Sequence, residues 1–184
     1  MSDLRGYEPV VLLNSENHPI GECDKKLIHT LETPLHLGFS CYIINSQNEV
    51  LITRRALNKA TWPGVWSNSV CGHPLPSETV EQAAQRRALY ELGMQISTLK
   101  IIDDNFYYYA SDACGIVENE FCPVLMAYCD AQPQPAASEV MDYKWVALET
   151  LLDSALALPW LFSPWMIKQI SKENIRHRLL NLAE

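Results

Sequence analysis

Basic charge is scarce in this chain: 14 Lys and Arg stand against 22 Asp and Glu, a net charge of -8. Nucleic acid and anionic membranes need a basic footprint, so neither is an expected partner. A small anionic molecule remains open, because it needs only a local cluster of Lys and Arg. No apolar run approaches the ~20 residues of a membrane span. Met1-Ser2-Asp3-Leu4-Arg5 lacks the basic and apolar regions of a signal peptide. Six cysteines (Cys23, Cys41, Cys71, Cys114, Cys122 and Cys129) are scattered without a C-x-x-C pair. That pattern reads as reduced thiols in a cytoplasmic protein and excludes a disulfide framework. Repeats, low-complexity tracts and linkers are missing too, and Gln132-Pro133-Gln134-Pro135 is too short to divide domains. What is present is 184 residues, 48% hydrophobic, enough for one core of ordinary size and a single domain over 1–184.

The apolar pattern predicts a mixed α+β protein. Val10 to Leu13 reads as a strand, followed by a turn through Asn14-Ser15-Glu16-Asn17-His18-Pro19. Leu35 to Ile44 and Glu49 to Arg54 are β-branched runs joined by Asn45-Ser46-Gln47-Asn48, a hairpin signal. Ser77 can cap a helix with Glu78 and Glu81 near its start, Val80, Ala84 and Ala88 as an apolar seam, and Gly93 at its end. Phe106 to Tyr109, Val117 to Tyr128 and Asp142 to Val146 read as strands, and Ala147 to Leu156 and Trp165 to Leu182 as helices. The sum is a mixed sheet with helices packed on it.

Chemistry concentrates in Asn68-Ser69-Val70-Cys71-Gly72-His73-Pro74, where a thiol and an imidazole stand two residues apart. If the stretch is extended, both side chains leave one face of the backbone. Glu118-Asn119-Glu120 repeats the geometry with two carboxylates. Two such pairs of metal-binding and proton-carrying residue types point to a metalloenzyme. A zinc-structural module fits poorly, because the thiols lack thiolate-cluster spacing.

Gly72, Glu78, Arg86, Glu91 and Gly93 stand in the register of a Nudix box, G-x5-E-x7-R-E-U-x-E-E-x-G-U, with U a bulky aliphatic residue. Arg87 and Tyr90 occupy two of its carboxylate positions. The box thus resembles a Nudix scaffold that meets a diphosphate without the full hydrolase cluster. From about Val10 through Met166 the chain resembles the type I isopentenyl-diphosphate delta-isomerases, a Nudix-fold family. The resemblance runs through His29-x6-His36, Arg54-Arg55-Ala56, Trp62-Pro63-Gly64-Val65-Trp66, the Cys71 segment, Arg86-Arg87 with Tyr90-Glu91-Leu92-Gly93, Gly115 to Glu120, and Phe162-Ser163-Pro164-Trp165-Met166. It implies a Nudix-like α/β/α sandwich with its core at about 10–166.

The resemblance also implies roles. His29, His36, His73, Glu118 and Glu120 would hold one divalent ion, and three imidazoles with carboxylate oxygen suit manganese, zinc or magnesium. Cys71 and Glu120 would carry protons on opposite faces of the substrate, Tyr108 would hydrogen-bond Glu120, and Trp165 would face the reacting carbon. An indole face stabilises a cation without offering it a nucleophile. Lys25, Arg55, Lys59 and Arg87 match diphosphate-binding positions, and Glu91 would ligate a magnesium that arrives with the diphosphate. The implied reaction interconverts isopentenyl and dimethylallyl diphosphate through a tertiary carbocation. Glu120 with Tyr108 is assigned to protonation and Cys71 to deprotonation, the two exchanging roles in reverse. Two rivals stand beside this reading: a Nudix hydrolase, which Arg87 and Tyr90 oppose, and a non-catalytic Nudix-fold binding protein, which the full set of acid, thiol and ligands opposes.

Overall fold

The computed structural model describes residues 7–181. The segment Met1 to Arg5 and the end of the last expected helix, Leu182, lie outside the described residues. Twelve strands form two sheets. The larger has the order β12 (Val140–Ala147), β5 (Glu49–Arg55), β4 (Phe39–Ile44), β11 (Val124–Tyr128), β8 (Ser97–Asp103). The short strands β6 (Trp66–Ser67) and β7 (Val70–Gly72) pair with β5 and β4. Helices cover both faces. The period of two along β4 and β11 divides the core: Phe39, Cys41, Ile43, Leu125 and Ala127 pack under α2 (Val80–Leu92), while Tyr42, Ile44, Val124 and Met126 face the other way. That second face is covered by α3 (Leu148–Ala157), α4 (Pro164–Ser171) and α5 (Glu173–Asn181). The α/β/α layering implied by the sequence is therefore present.

The smaller sheet runs β2 (Pro19–Asp24), β1 (Pro9–Leu13), β3 (His36–Leu37), β10 (Val117–Phe121), β9 (Tyr107–Ser111). Two stretches expected to be continuous strands cross from one sheet to the other. Leu35 to Ile44 breaks at Gly38 into β3 and β4, and Val117 to Tyr128 breaks at Cys122-Pro123 into β10 and β11. Proline has no N–H for a ladder, so the second break has a local cause. Both crossings keep step, because β3 is parallel to β10 and β4 parallel to β11. Gly38 N donates to Phe121 O at 2.9 Å and Ser40 N to Pro123 O at 3.0 Å, which fastens the two bends together.

Further expectations need correcting. Ser77 does not cap α2; it lies in the left-handed region at φ 68, and Thr79 is the cap. Thr79 and Gln82 form a reciprocal capping box, so the signature T-x-x-Q overrides the earlier serine. Gly93 ends the helix at φ 65, donating to Leu89 and Ala88 carbonyls. The last expected helix breaks at Lys172 into α4 and α5. Strands β2 and β8 fall where the sequence pattern predicts no element; β2 is largely exposed and lacks an apolar face to betray it. Among the described residues no helix is long and apolar enough to cross a membrane.

Candidate active site

The smaller sheet sets three residues side by side. Glu120 on β10 is opposite His36 on β3 and opposite Tyr108 on β9. Glu118, two residues back along the strand, shares its face, and Asn119 points away to accept from the Tyr107 hydroxyl at 2.9 Å. His29 follows the single turn α1 (Lys25–Ile28), whose N-cap Asp24 accepts from Lys26 N. His73 follows β7, held extended by Pro74.

These pieces meet. Ligand atoms of His29, His36, His73 and Glu120 all lie within 4.8 Å of one another. Glu120 Oε1 is 3.1 Å from His73 Nε2 and 3.3 Å from His36 Nε2. Glu118 stands beside this group: its Oε2 is 3.1 Å from His29 Nε2, and its Oε1 accepts from the Thr61 hydroxyl at 2.7 Å. The donor set fits a divalent ion. His36 Nδ1 donates to Pro34 O at 2.9 Å, which fixes the tautomer and leaves Nε2 a lone pair aimed into the cluster. That Nε2 is buried and without a hydrogen-bond partner, in a side chain of 0% exposure. A buried orphan acceptor among imidazoles and a carboxylate is what a metal-binding pocket presents.

Electrostatics follow the burial. Burial alone would raise Glu120, but the close imidazoles of His36 and His73 outweigh it and hold the carboxyl well below its ordinary range. Burial drives His73 down to about 4. For His36 burial acts downward, and the Glu120 carboxylate overcomes it to raise the imidazole. Burial pushes Cys71 up to about 11, against the lowering hydrogen bonds of Ser40 and Asn68. The Tyr108 hydroxyl donates to Glu118 Oε2 at 3.5 Å, where Glu120 is the expected partner.

One cavity of about 140 Å³ collects the rest. Cys71, Glu120, Tyr108 and Trp165 line it, and so do Lys25, Arg55, Lys59 and Arg87. Ser163 explains how Trp165 arrives there. Its backbone N donates to Trp66 O at 2.8 Å and its hydroxyl lies 2.8 Å from Ser67 Oγ, so the start of α4 is tied to β6. Trp165 Nε1 then donates to Ser67 Oγ at 3.0 Å and Asn68 Oδ1 at 3.1 Å, and Trp62 meets its ring edge-on at 5.6 Å. Arg55 lies over the same ring at 5.2 Å and is pinned by the carbonyls of Thr61 and Trp62.

The cations are already paired. Arg87 and Glu91 stand one turn apart on the buried face of α2, with Glu91 Oε1 accepting at 2.9 and 2.6 Å. Glu139 accepts from both Lys59 and Arg87, and Glu8 accepts from Lys25 at 2.9 Å. Glu8 and Glu139 belong to no motif, so sequence reasoning had no signal for them. Glu78, the first carboxylate of the box, is occupied by Arg86 through bonds of 2.8 and 2.7 Å. Ser40, Asn68 and Thr61 were likewise missed as contacts of the catalytic and ligand side chains.

Comparison with known proteins agrees with this geometry. A family model described as NUDIX domain matches residues 34–166. The protein named isopentenyl-diphosphate delta-isomerase from Kocuria rhizophila is 50% identical over 179 residues, 97% of this chain and 99% of the relative. That of Salmonella heidelberg is 50% identical over 177 residues, 96% of this chain and 98% of its own. Among solved structures, DR0079 from Deinococcus radiodurans superposes with a TM-score of 0.69 at 20% identity, covering 89% of this chain and 98% of that one. A MutT protein from Methanosarcina mazei gives 0.64 at 20% identity, covering 84% and 99%. At such identities the two structures speak for the fold alone.

Proposed function

We propose, for a chain that belongs to the NUDIX domain family and within it to the isopentenyl-diphosphate delta-isomerases, the chemistry of its relatives' name. It is an isomerase that interconverts isopentenyl and dimethylallyl diphosphate. The observation that carries the reading is the single cavity lined by a thiol, a carboxylate, an indole and four cations. An unactivated alkene is a poor base, so one group must deliver a proton to its terminal carbon. A tertiary carbocation results, and a second group takes a proton from the neighbouring methylene. Cys71 and Glu120 carry these two protons and exchange roles between the forward and reverse reactions. Trp165, held through its N–H by Ser67 and Asn68, lines the cation with π density and no nucleophile. Its near-complete burial, with Tyr108 5.8 Å away, keeps out the water that would trap the cation.

Lys25, Arg55, Lys59 and Arg87 receive the diphosphate. Manganese, zinc or magnesium would sit among His29, His36, His73 and Glu120 with Glu118 beside them, supplying positive charge that orients the Glu120 carboxylate. Glu91 accepts from Arg87 through one oxygen; it would help hold a magnesium that enters with the diphosphate. A hydrolase reading lacks its carboxylates: Arg87 and Tyr90 replace two, and Arg86 occupies Glu78. The six unpaired cysteines suit a reducing, cytoplasmic setting.

Variants at the two proton carriers test the reading. Cys71→Ala abolishes turnover while keeping its divalent ion, measured by elemental analysis after gel filtration. Glu120→Gln abolishes turnover and weakens metal retention. Full activity in either variant removes that residue from the mechanism.

A further inference from the structure

The Cys71 sulfur is held by a buried polar chain that no motif contains. Tyr42 and Ser40 on β4 and Gln169 on α4 are each 0% exposed. The Tyr42 hydroxyl donates to Gln169 Oε1 at 2.8 Å, and Gln169 Nε2 lies 2.9 Å from Ser40 Oγ. Ser40 Oγ is in turn 3.5 Å from Cys71 Sγ and 3.5 Å from Cys122 Sγ.

The direction of the first two bonds is forced. Burial keeps the Tyr42 hydroxyl protonated, so it donates, and the Gln169 carbonyl must face it. The amide then turns its NH2 to Ser40, whose oxygen accepts. The one hydrogen of Ser40 is left for a sulfur. On the other side of Cys71 the polarity is opposite. Its S–H donates to Asn68 Oδ1 at 3.1 Å, and that amide is pinned by two donations of 3.1 Å to the Cys41 and Val70 carbonyls. The Cys71 sulfur therefore sits between the Ser40 hydroxyl, which it shares with Cys122, and the Asn68 carbonyl oxygen, both fixed from behind.

Gln169 also joins two parts of the site. It follows Trp165 by one helical turn on α4, so one helix face delivers the indole to the substrate and the amide to Ser40. A glutamine buried among apolar side chains is costly unless both ends are bonded; here one end accepts from Tyr42 and the other leads through Ser40 to the thiol.

We propose that Ser40 is a positioning residue that fixes the direction of the Cys71 sulfur, and that Gln169 with Tyr42 sets the polarity of its hydroxyl. The inference rests on the role given to Cys71 above. Deleting one oxygen at position 40 leaves the diphosphate cations and the histidine cluster untouched. A misaimed proton carrier then costs turnover and not substrate binding.

The test is steady-state isomerisation by the metal-loaded full chain, with metal content and melting temperature measured on each variant. Ser40→Ala lowers kcat at least about tenfold with KM unchanged within about twofold. Gln169→Glu keeps the side-chain shape but accepts at both ends, so it captures the Ser40 hydrogen and lowers kcat similarly. Metal content stays near that of the unmodified chain in Ser40→Ala, which still folds, with a melting temperature lowered only by the lost acceptor of the Gln169 amide. A Ser40→Ala variant with unchanged kcat overturns the proposal. A loss of kcat accompanied by loss of metal or of folding in that variant overturns it too, since the role is then structural. Cys71→Ala separates the levels. If it is inactive beside a fully active Ser40→Ala, only the positioning role falls; if it is active, the role of Cys71 falls and the inference with it.

Discussion

A methyl group at position 38 would meet the Glu120 carboxylate head-on, since a Cβ built there lies 2.3 Å from Oε2. Gly38 is therefore not a turn glycine but a place where backbone and a functional side chain approach closely. Gly38→Ala must push Glu120 out of its place opposite His36. Turnover falls at least about a hundredfold and metal retention falls with it, while the circular dichroism spectrum keeps its shape. An active, metal-retaining Gly38→Ala protein would show that Glu120 works from another position. The residue scale was also the one the sequence revealed most unevenly. The cavity's thiol, histidines and cations stood in recognisable motifs, but Gln169, Glu8 and Glu139 did not. A buried amide inside a helix and a carboxylate paired across the fold look, in one dimension, like any solvated residue.

At the scale of elements, the register matters more than the strands themselves. The crossings at Gly38 and Cys122-Pro123 place Glu120 and Cys122 within two residues of the bend, and Cys71 reaches the same place through its pairing with Ser40. Alternation revealed most of these strands, yet nothing local showed that two of them change sheets. Helix α2 teaches the same lesson at its start. The serine at position 77 offered a cap, and Thr79 with Gln82 took it because only a reciprocal pair satisfies two orphan N–H groups at once. Thr79→Ala is expected to cost about 1 kcal/mol in urea unfolding and Ser77→Ala to cost no capping energy. Equal losses at the two positions would contradict this assignment. Since α2 carries Arg87 and Glu91, fraying at its start also loosens one wall of the anion site.

For the whole molecule, acidity acts through carboxylates that folding holds down. The bonds from Arg86 keep Glu78 below its ordinary 4.5, aided by the Leu75 N–H against a small opposing effect of burial. Asp103 lies below its ordinary 3.8, where burial acts upward and Lys172 with the Asn105 N–H outweighs it. A depressed carboxylate contributes stability that is complete above its unfolded value and disappears as the pH falls through its folded value. Stability accordingly declines on acidification below about 4.5. Glu78→Gln is less stable than the unmodified chain at pH 7, and the gap closes as the pH is lowered through that range. Urea midpoints across a pH series measure it, and a gap independent of pH would contradict the account. On a chain of net charge -8, the clustered cations of the cavity stand out as the molecule's place for an anion.

The central claim is that this cavity moves a proton onto the terminal carbon of an alkene and removes one from the methylene beside the resulting cation. It is tested most directly by incubating metal-loaded protein with isopentenyl diphosphate and magnesium in deuterated water, followed by proton and phosphorus NMR. The account predicts dimethylallyl diphosphate that carries solvent deuterium, with both phosphorus signals of the diphosphate intact. Release of phosphate would contradict it in favour of hydrolysis, and an unchanged spectrum with metal confirmed in place would contradict it in favour of binding without chemistry.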